Sequence, residues 1–203
     1  MVQLALKKIL EAIYEPRFLN CMYGFRPNRG CHDAIKELYK RLNNTKICYI
    51  VDADIKGFFD HMKHEWIIKF LYLYIKDPNI IGLVKKYLKV GVIDGGELMM
   101  NEEGSAQGNI ISPILANIYM HNVLTLWYKF IITKECKGDN FLIVYADDFV
   151  AGFQYKWEAE NYYKLLKERM EKFGLQLRKV KADYCKVVLI LRGRNKRAVS
   201  LPD

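Results

Sequence analysis

Acidic residues are in short supply in this chain. Asp and Glu number 23 against 32 Lys and Arg, giving a formal net charge of +9 and a pI near 9.2. Such an imbalance favours a polyanionic partner, because each neutralised phosphate releases condensed counterions. Cysteines are few and poorly placed for bridging. There are 5 (Cys21, Cys31, Cys48, Cys136 and Cys185), an odd number with no C-x-x-C pair. That spacing argues against a disulfide framework or a zinc site and points to reduced thiols in a cytoplasmic setting. No apolar run of membrane length is uninterrupted. The longest, Ile110 to Ile132, contains Asn117, His121, Asn122 and Lys129, so it reads as a buried helix and no membrane partner is expected. Gln3, Lys7, Lys8 and Glu11 break up the start, which is unlike a signal peptide. His32, His61, His64 and His121 form no triad or metal spacing, and Ser105 and Ser112 have no base beside them, so a serine hydrolase is not supported. No internal repeat or low-complexity tract is present.

The 203 residues, 51% of them hydrophobic, suffice for one large packed domain. Apolar periodicity predicts a helix over Val2–Tyr14, with Leu4, Leu6, Ile9, Leu10 and Ile13 inward. That helix begins without a cap, so a preceding segment is expected. A loop at Gly24–Gly30 leads to a helix over Cys31–Leu42, with Ala34, Ile35, Leu38 and Leu42 inward. Ile47–Asp54 reads as a strand, followed by helices at His64–Ile75 and Pro78–Val90 and a hairpin at Val92–Met100. Ser112 is the expected N-cap of a long helix from Pro113 to about Ile132. Two strands around Asp147-Asp148, a helix over Trp157–Phe173 ended by Gly174, and a strand at Cys185–Leu191 complete the order. Setting the small hairpin aside, this is a β-α-β-β-α-β skeleton, an α+β arrangement with a ferredoxin-like core. It is expected to place strands Ile47–Asp54 and Phe141–Tyr145 side by side.

The chemistry concentrates at Tyr145-Ala146-Asp147-Asp148, between the apolar runs Phe141–Val144 and Phe149–Phe153. Asp favours turns, so a tight hairpin would carry these carboxylates at its tip. Taken alone, the pair also fits an ordinary solvated turn. Asp54 ends the earlier strand, where a charge is costly unless paired or metal-bound. Adjacent strands would bring Asp54 to the hairpin, and clustered carboxylates call for cations between them, as in a two-metal phosphoryl-transfer site. Asp52 shares a strand face with Asp54, and Asp60 reads as a helix cap; neither is assigned to metal.

The ordered motifs Asp54-Ile55-Lys56-Gly57-Phe58-Phe59-Asp60, Gly108-Asn109-Ile110-Ile111-Ser112-Pro113 and Tyr145-Ala146-Asp147-Asp148 resemble reverse transcriptases. Gly24-Phe25-Arg26-Pro27-Asn28-Arg29 and Gln107-Gly108 are similar to the branch encoded by group II introns of bacteria. The likeness spans about residues 2–182. It implies a right-hand polymerase: partial helical fingers over 1–45, a catalytic palm over 46–191 and a basic tail over 192–203.

By that resemblance, Asp54, Asp147 and Asp148 are the catalytic carboxylates, and with the Ile55 carbonyl they hold two Mg²⁺ ions, Mn²⁺ being able to substitute. Phe59 lies under the incoming sugar and selects deoxynucleotides; a plain core aromatic is the alternative. Gln107 supports the incoming nucleotide and the template base. Lys181 serves the leaving pyrophosphate or neutralises charge, and a solvated surface lysine fits equally. Arg26 and Arg29 sit near nucleotide and template respectively, with a loop ion pair as the alternative; Tyr145 packs beneath the primer end. The implied partners are an RNA template, a DNA primer, dNTPs and a group II intron RNA. The chain departs from the family pattern at Ala106, Val144 and Ala182, where Pro, Arg and Thr are usual, and the family's upstream triphosphate clamp and downstream thumb are expected to fall outside these residues. A polymerase-inactive fragment that keeps RNA binding as a maturase-type splicing module is therefore the second expectation. A nucleotide cyclase on the same skeleton is a third, disfavoured by the Gln-Gly and Ser-Pro loop.

Overall fold

The computed structural model of the chain describes residues 1–89, 93–94, 97–98, 104 and 109–178. Its centre is a three-stranded antiparallel sheet of β1 (Tyr49–Asp54), β4 (Asn140–Tyr145) and β5 (Asp148–Phe153). The strand order is β1-β5-β4. This corrects the expected neighbours: Phe141–Tyr145 does not lie beside the first strand, because its hairpin partner β5 is interposed. A two-residue connection pairs β4 with β5, and the 21–23 segment bonds to Val144 on the outer edge of β4, so β1 takes the outer edge of β5. The order is still that of a split βαβ core. Ile55 bridges to Leu177 on the other edge of β1, where the last strand of the skeleton would begin. The expected strand Cys185–Leu191 lies outside the described residues. Two-residue strands β2 (Ile93–Asp94) and β3 (Glu97–Leu98) form the small hairpin as expected.

Strand alternation divides the core. Leu142, Val144, Phe149, Ala151 and Phe153 face one large apolar cluster; Phe141 and Ile143 face a second one with Tyr23, Ala34, Leu42 and Ile47. The second cluster is covered by α2 (Cys31–Asn44), which contacts β4. The larger one is filled by α1 (Val2–Tyr14), α4 (His64–Tyr72), α5 (Pro78–Lys89), a long helical course from Ser112, and α8 (Lys156–Lys172). Within α1 the buried stripe is Leu6, Leu10 and Tyr14, while Leu4 and Ile9 are exposed, contrary to expectation. The four-residue spacing continues to Tyr14, whose hydroxyl donates to the carbonyls of Phe70 and Leu71. In α2, Ile35 is likewise outside, at 55% exposure.

The long helix extends from α6 (Ser112–Met120) through π-helical turns at His121–Thr125 and Tyr128–Ile132 to α7 (Thr133–Glu135). Ile111, not Ser112, takes its N-cap position, and Ser112 is the first helical residue. Thr125 and Thr133 donate to the carbonyls of His121 and Lys129, the threonine back-bonding that distorts helices. α8 ends as its sequence predicts. Gly174, at φ +77°, lets Leu175 N–H reach Met170 O (2.9 Å) and its own N–H reach Glu171 O (3.0 Å), which is a Schellman closure. Among the described residues no helix is long and apolar enough to cross a membrane.

Candidate nucleotidyl-transfer site

The β4–β5 turn has two residues, Ala146 and Asp147. Ala146 carries φ +57°, a left-handed value normally left to glycine or asparagine. Such a conformation persists only where neighbours impose it, and here the neighbour is the 21–24 segment. Val144 N–H donates to Cys21 O (2.8 Å), and Tyr23 N–H donates to Val144 O (2.9 Å). Gly24 then passes so close to the turn that a Cβ there would lie 2.3 Å from Ala146 N. Asn117, buried on α6, holds the Gly24 carbonyl at 2.9 Å. The hairpin tip is thus clamped to the first loop and to the long helix.

Asp54 lies directly opposite Asp148 in the β1–β5 register, and Tyr145 opposite Asp148 in β4–β5. A two-residue turn makes Tyr145–Asp148 the hydrogen-bonded pair, so Asp54–Asp148 is a non-bonded pair, the kind with the closer side chains. Asp147 sits at the tip. The Asp148 carboxyl is held above the usual carboxylate range, first by burial, then by the negative charges of Asp147, Asp54 and Asp52; Arg178 opposes the shift. The carboxylates are therefore near enough to repel. Arg178 Nη1 stands 3.3 Å from Asp54 Oδ2 and partly offsets that repulsion. Among the described residues no three His, Cys, Asp or Glu side chains converge into a closed metal-ligand cluster. Ile55 is buried, and the ladder to residues 176–178 uses Asp54 O and Lys56 N–H. By strand alternation its carbonyl faces the hairpin side.

Beside the carboxylates, Gly57 (φ +55°) turns the chain from β1 into α3 (Phe58–His61). Phe59 is half-buried and meets Phe58 and Phe25 edge to face, with centroids at 5.6 and 6.2 Å. Phe25 is 49% exposed and adopts φ +55°. Tyr145 is 38% exposed. Arg26 departs from expectation. Its side chain is 5% exposed and gives Nε and Nη2 to Glu15 (2.9 and 2.7 Å) and Nη1 to the carbonyls of Leu19 and Met22. The nucleotide contact expected of Arg26 is thereby corrected to the ion pair: its guanidinium is buried, with four of its five N–H donors spent on Glu15, Leu19 and Met22, and is not presented to a ligand. Arg29 is also tied down, to Asn20 O (2.8 Å) and Asn20 Oδ1 (2.9 Å), but remains half-exposed. Gln107 and Lys181 lie outside the described residues. On either side of Gln107, Gly104 N–H bonds Met62 O (2.9 Å), and Gln3 on α1 bonds Asn109 Oδ1 (3.2 Å) and accepts from Ile110 N–H (3.3 Å).

Residues 1–195 match the family described as "Reverse transcriptase (RNA-dependent DNA polymerase)". The chain belongs to that family. Over its whole length it is 31% identical, across 209 aligned residues, to the "Group II intron-encoded protein LtrA" of Lactococcus lactis subsp. cremoris, and it covers 31% of that protein. It is 41% identical over 124 residues to the "Uncharacterized 91 kDa protein in cob intron" of Schizosaccharomyces pombe, covering 61% of this chain and 15% of that one. The chain thus spans about a third or less of these curated relatives. Among solved structures, apo telomerase from Candida tropicalis superposes with a TM-score of 0.70 at 15% identity, over 91% of this chain and 37% of that one. That likeness shows a common fold, the polymerase palm and fingers arrangement.

Two features of the candidate site are not legible in the sequence. Arg178, beside Asp54, stands in no motif, and only the pairing of Ile55 with Leu177 brings it there. Gly24 opens the Gly24–Arg29 motif, yet its packing against the hairpin depends on a contact across 122 positions. No local signal identifies either.

Proposed function

We propose that the chain is the catalytic core of an RNA-directed DNA polymerase of the group II intron type, with residues 1–45 as partial fingers, 46–191 as palm and 192–203 as a basic tail. The observation that carries this reading is the Asp54–Asp148 pairing beside Asp147, with the Asp148 carboxyl raised by its neighbours' charges. Such a group of oxygen donors fits hard divalent cations, two Mg²⁺ or Mn²⁺ ions held by Asp54, Asp147, Asp148 and the Ile55 carbonyl. Bound Mg²⁺ supplies activation of the primer hydroxyl and neutralises the triphosphate and the leaving pyrophosphate.

The chain's own groups do the positioning. Phe59, braced by Phe25 and Phe58, lies under the incoming sugar in this reading and selects against a ribose 2′-hydroxyl. Tyr145, on the Asp148 face of the sheet, supports the primer end. Gln107 bears on the incoming nucleotide and template base, and Lys181 on the pyrophosphate. Arg29 keeps an exposed side toward the template, while Arg26 holds the loop that carries Phe25. The substrates are dNTPs, a DNA primer and an RNA template.

Primer extension on poly(rA)/oligo(dT) with Mg²⁺ tests this. Extension by the wild-type chain that vanishes in Asp147→Ala is the expected result; no extension by the wild-type chain overturns it. A second reading draws on the net charge of +9. The chain then grips intron RNA as a maturase-type module without synthesis. In that case RNA affinity survives Asp147→Ala and falls with salt, while extension is absent.

A further inference from the structure

The outer edge of β4 is only partly covered. Val144 exchanges bonds with Cys21 and Tyr23, a parallel bridge centred on Met22. Backbone groups along a strand point to alternate edges. Leu142, two residues before Val144, therefore directs its N–H and C=O to the same edge, where no described backbone group pairs with them. The covering segment stops short because Met22 N–H turns back onto Leu19 O (3.1 Å). In the place where it would have continued lies a cleft of about 600 Å³. Its floor is the Asn140–Ile143 edge. One wall is α2, at Glu37 and Arg41, and the other is the distorted helix, at Tyr128 and Lys129. The slot is as a missing strand would leave it, with a helix on each face and open hydrogen-bonding groups at the back.

Its charge is positive, with Arg29, Arg41 and Lys129 against Glu37. Arg41 already pairs with Glu37 (2.7 Å) and Arg29 with Asn20. Lys129 has no carboxylate partner among the described residues. We propose that this slot binds an extended, acidic peptide segment of a partner protein, which adds as a strand to the Leu142 edge and sets a carboxylate against Lys129. Strand addition draws affinity from main-chain bonds and selectivity from alternate side chains. A nucleic-acid strand lacks the regularly spaced amide donors and carbonyl acceptors that would pair with the Leu142 N–H and C=O. The cleft lies along β4, away from the Asp147 turn, and shares only Arg29 with the residues proposed above to meet substrate.

The test uses the full chain and a fluorescein-labelled hexapeptide of alternating valine and glutamate, blocked at both ends. Fluorescence anisotropy reads binding, and NMR hydrogen exchange reads the Leu142 amide. The expected result is saturable binding that slows Leu142 exchange at least about tenfold. Methylating alternate peptide nitrogens abolishes it on the pairing edge, and Lys129→Glu weakens it about fivefold. No binding overturns the proposal. So does binding that leaves Leu142 exchange unchanged, or an oligouridylate that protects Leu142 in place of the peptide.

Discussion

Asp148 is the residue on which the site's electrostatics turn. Its folded pKa is raised above the ordinary carboxylate value, so the native state holds the proton more tightly than the unfolded chain. The resulting stabilisation is full in acid and is lost as pH rises through the raised value. At neutral pH the ionised carboxylate is therefore a cost. Asp148→Asn should raise the melting temperature at pH 7, by about 0.5 kcal/mol equivalent for an exposed and screened group, and the gain should fade in acid; differential scanning calorimetry at two pH values reads both. His121 behaves in the opposite way. It is buried against Phe18 and bonds Thr125, and burial together with the Arg26 and Lys129 charges lowers its pKa from 6.5 to about 4. Its depressed value means that stability is present above pH 6.5 and is lost as pH falls toward about 4. Urea titrations should show a loss approaching about 3 kcal/mol across that window, and His121→Gln should flatten it.

At the scale of elements, the hairpin owes its position to Gly24. A methyl group there meets the Ala146 backbone, which cannot swing aside as a side chain can. Gly24→Ala should cost about 2 kcal/mol in denaturant unfolding. It should also abolish Asp147-dependent extension while leaving the helical circular dichroism signal intact. Most elements were legible in the sequence, because period and punctuation are local. The Val2–Tyr14 helix, the Gly174 stop and the Asp-Asp hairpin all rest on neighbours within a few residues. What local pattern misjudged were matters of packing. Ile35 is apolar and correctly spaced, yet α2 turns it outward because Ala34 and Leu42 already fill the face over Phe141. Ser112 has the chemistry of a cap, but the preceding turn brings Ile111 to that position, with Ser112 N–H bonded to Asn109 O (3.1 Å).

For the molecule as a whole, the charge of +9 makes the proposed RNA affinity a long-range property that no single residue carries. The logarithm of the binding constant should fall linearly with that of salt concentration, with at least about a tenfold loss between 50 and 200 mM. Filter binding of single-stranded RNA reads the slope, and Asp147→Ala should leave it unchanged. The same scale explains why α1 matters. Leu6, Leu10 and Tyr14 enter the cluster that backs the sheet, and Gln3 pins the turn before α6, so the proposed fingers segment shares a core with the palm.

The sequence alone determined the family, the skeleton and the three aspartates, since motif order and hydrophobic period are written along the chain. Only the tertiary structure decided how those aspartates meet. The docking of β1 on the free edge of β5 sets Asp54 against Asp148, and the segment on the other edge of β1 brings Arg178 to their side. It also decided that Arg26 is structural. A guanidinium's role depends on how many of its five donors are spent inside the fold, four in Arg26, and that is settled by contacts such as Glu15 and Leu19 rather than by a motif.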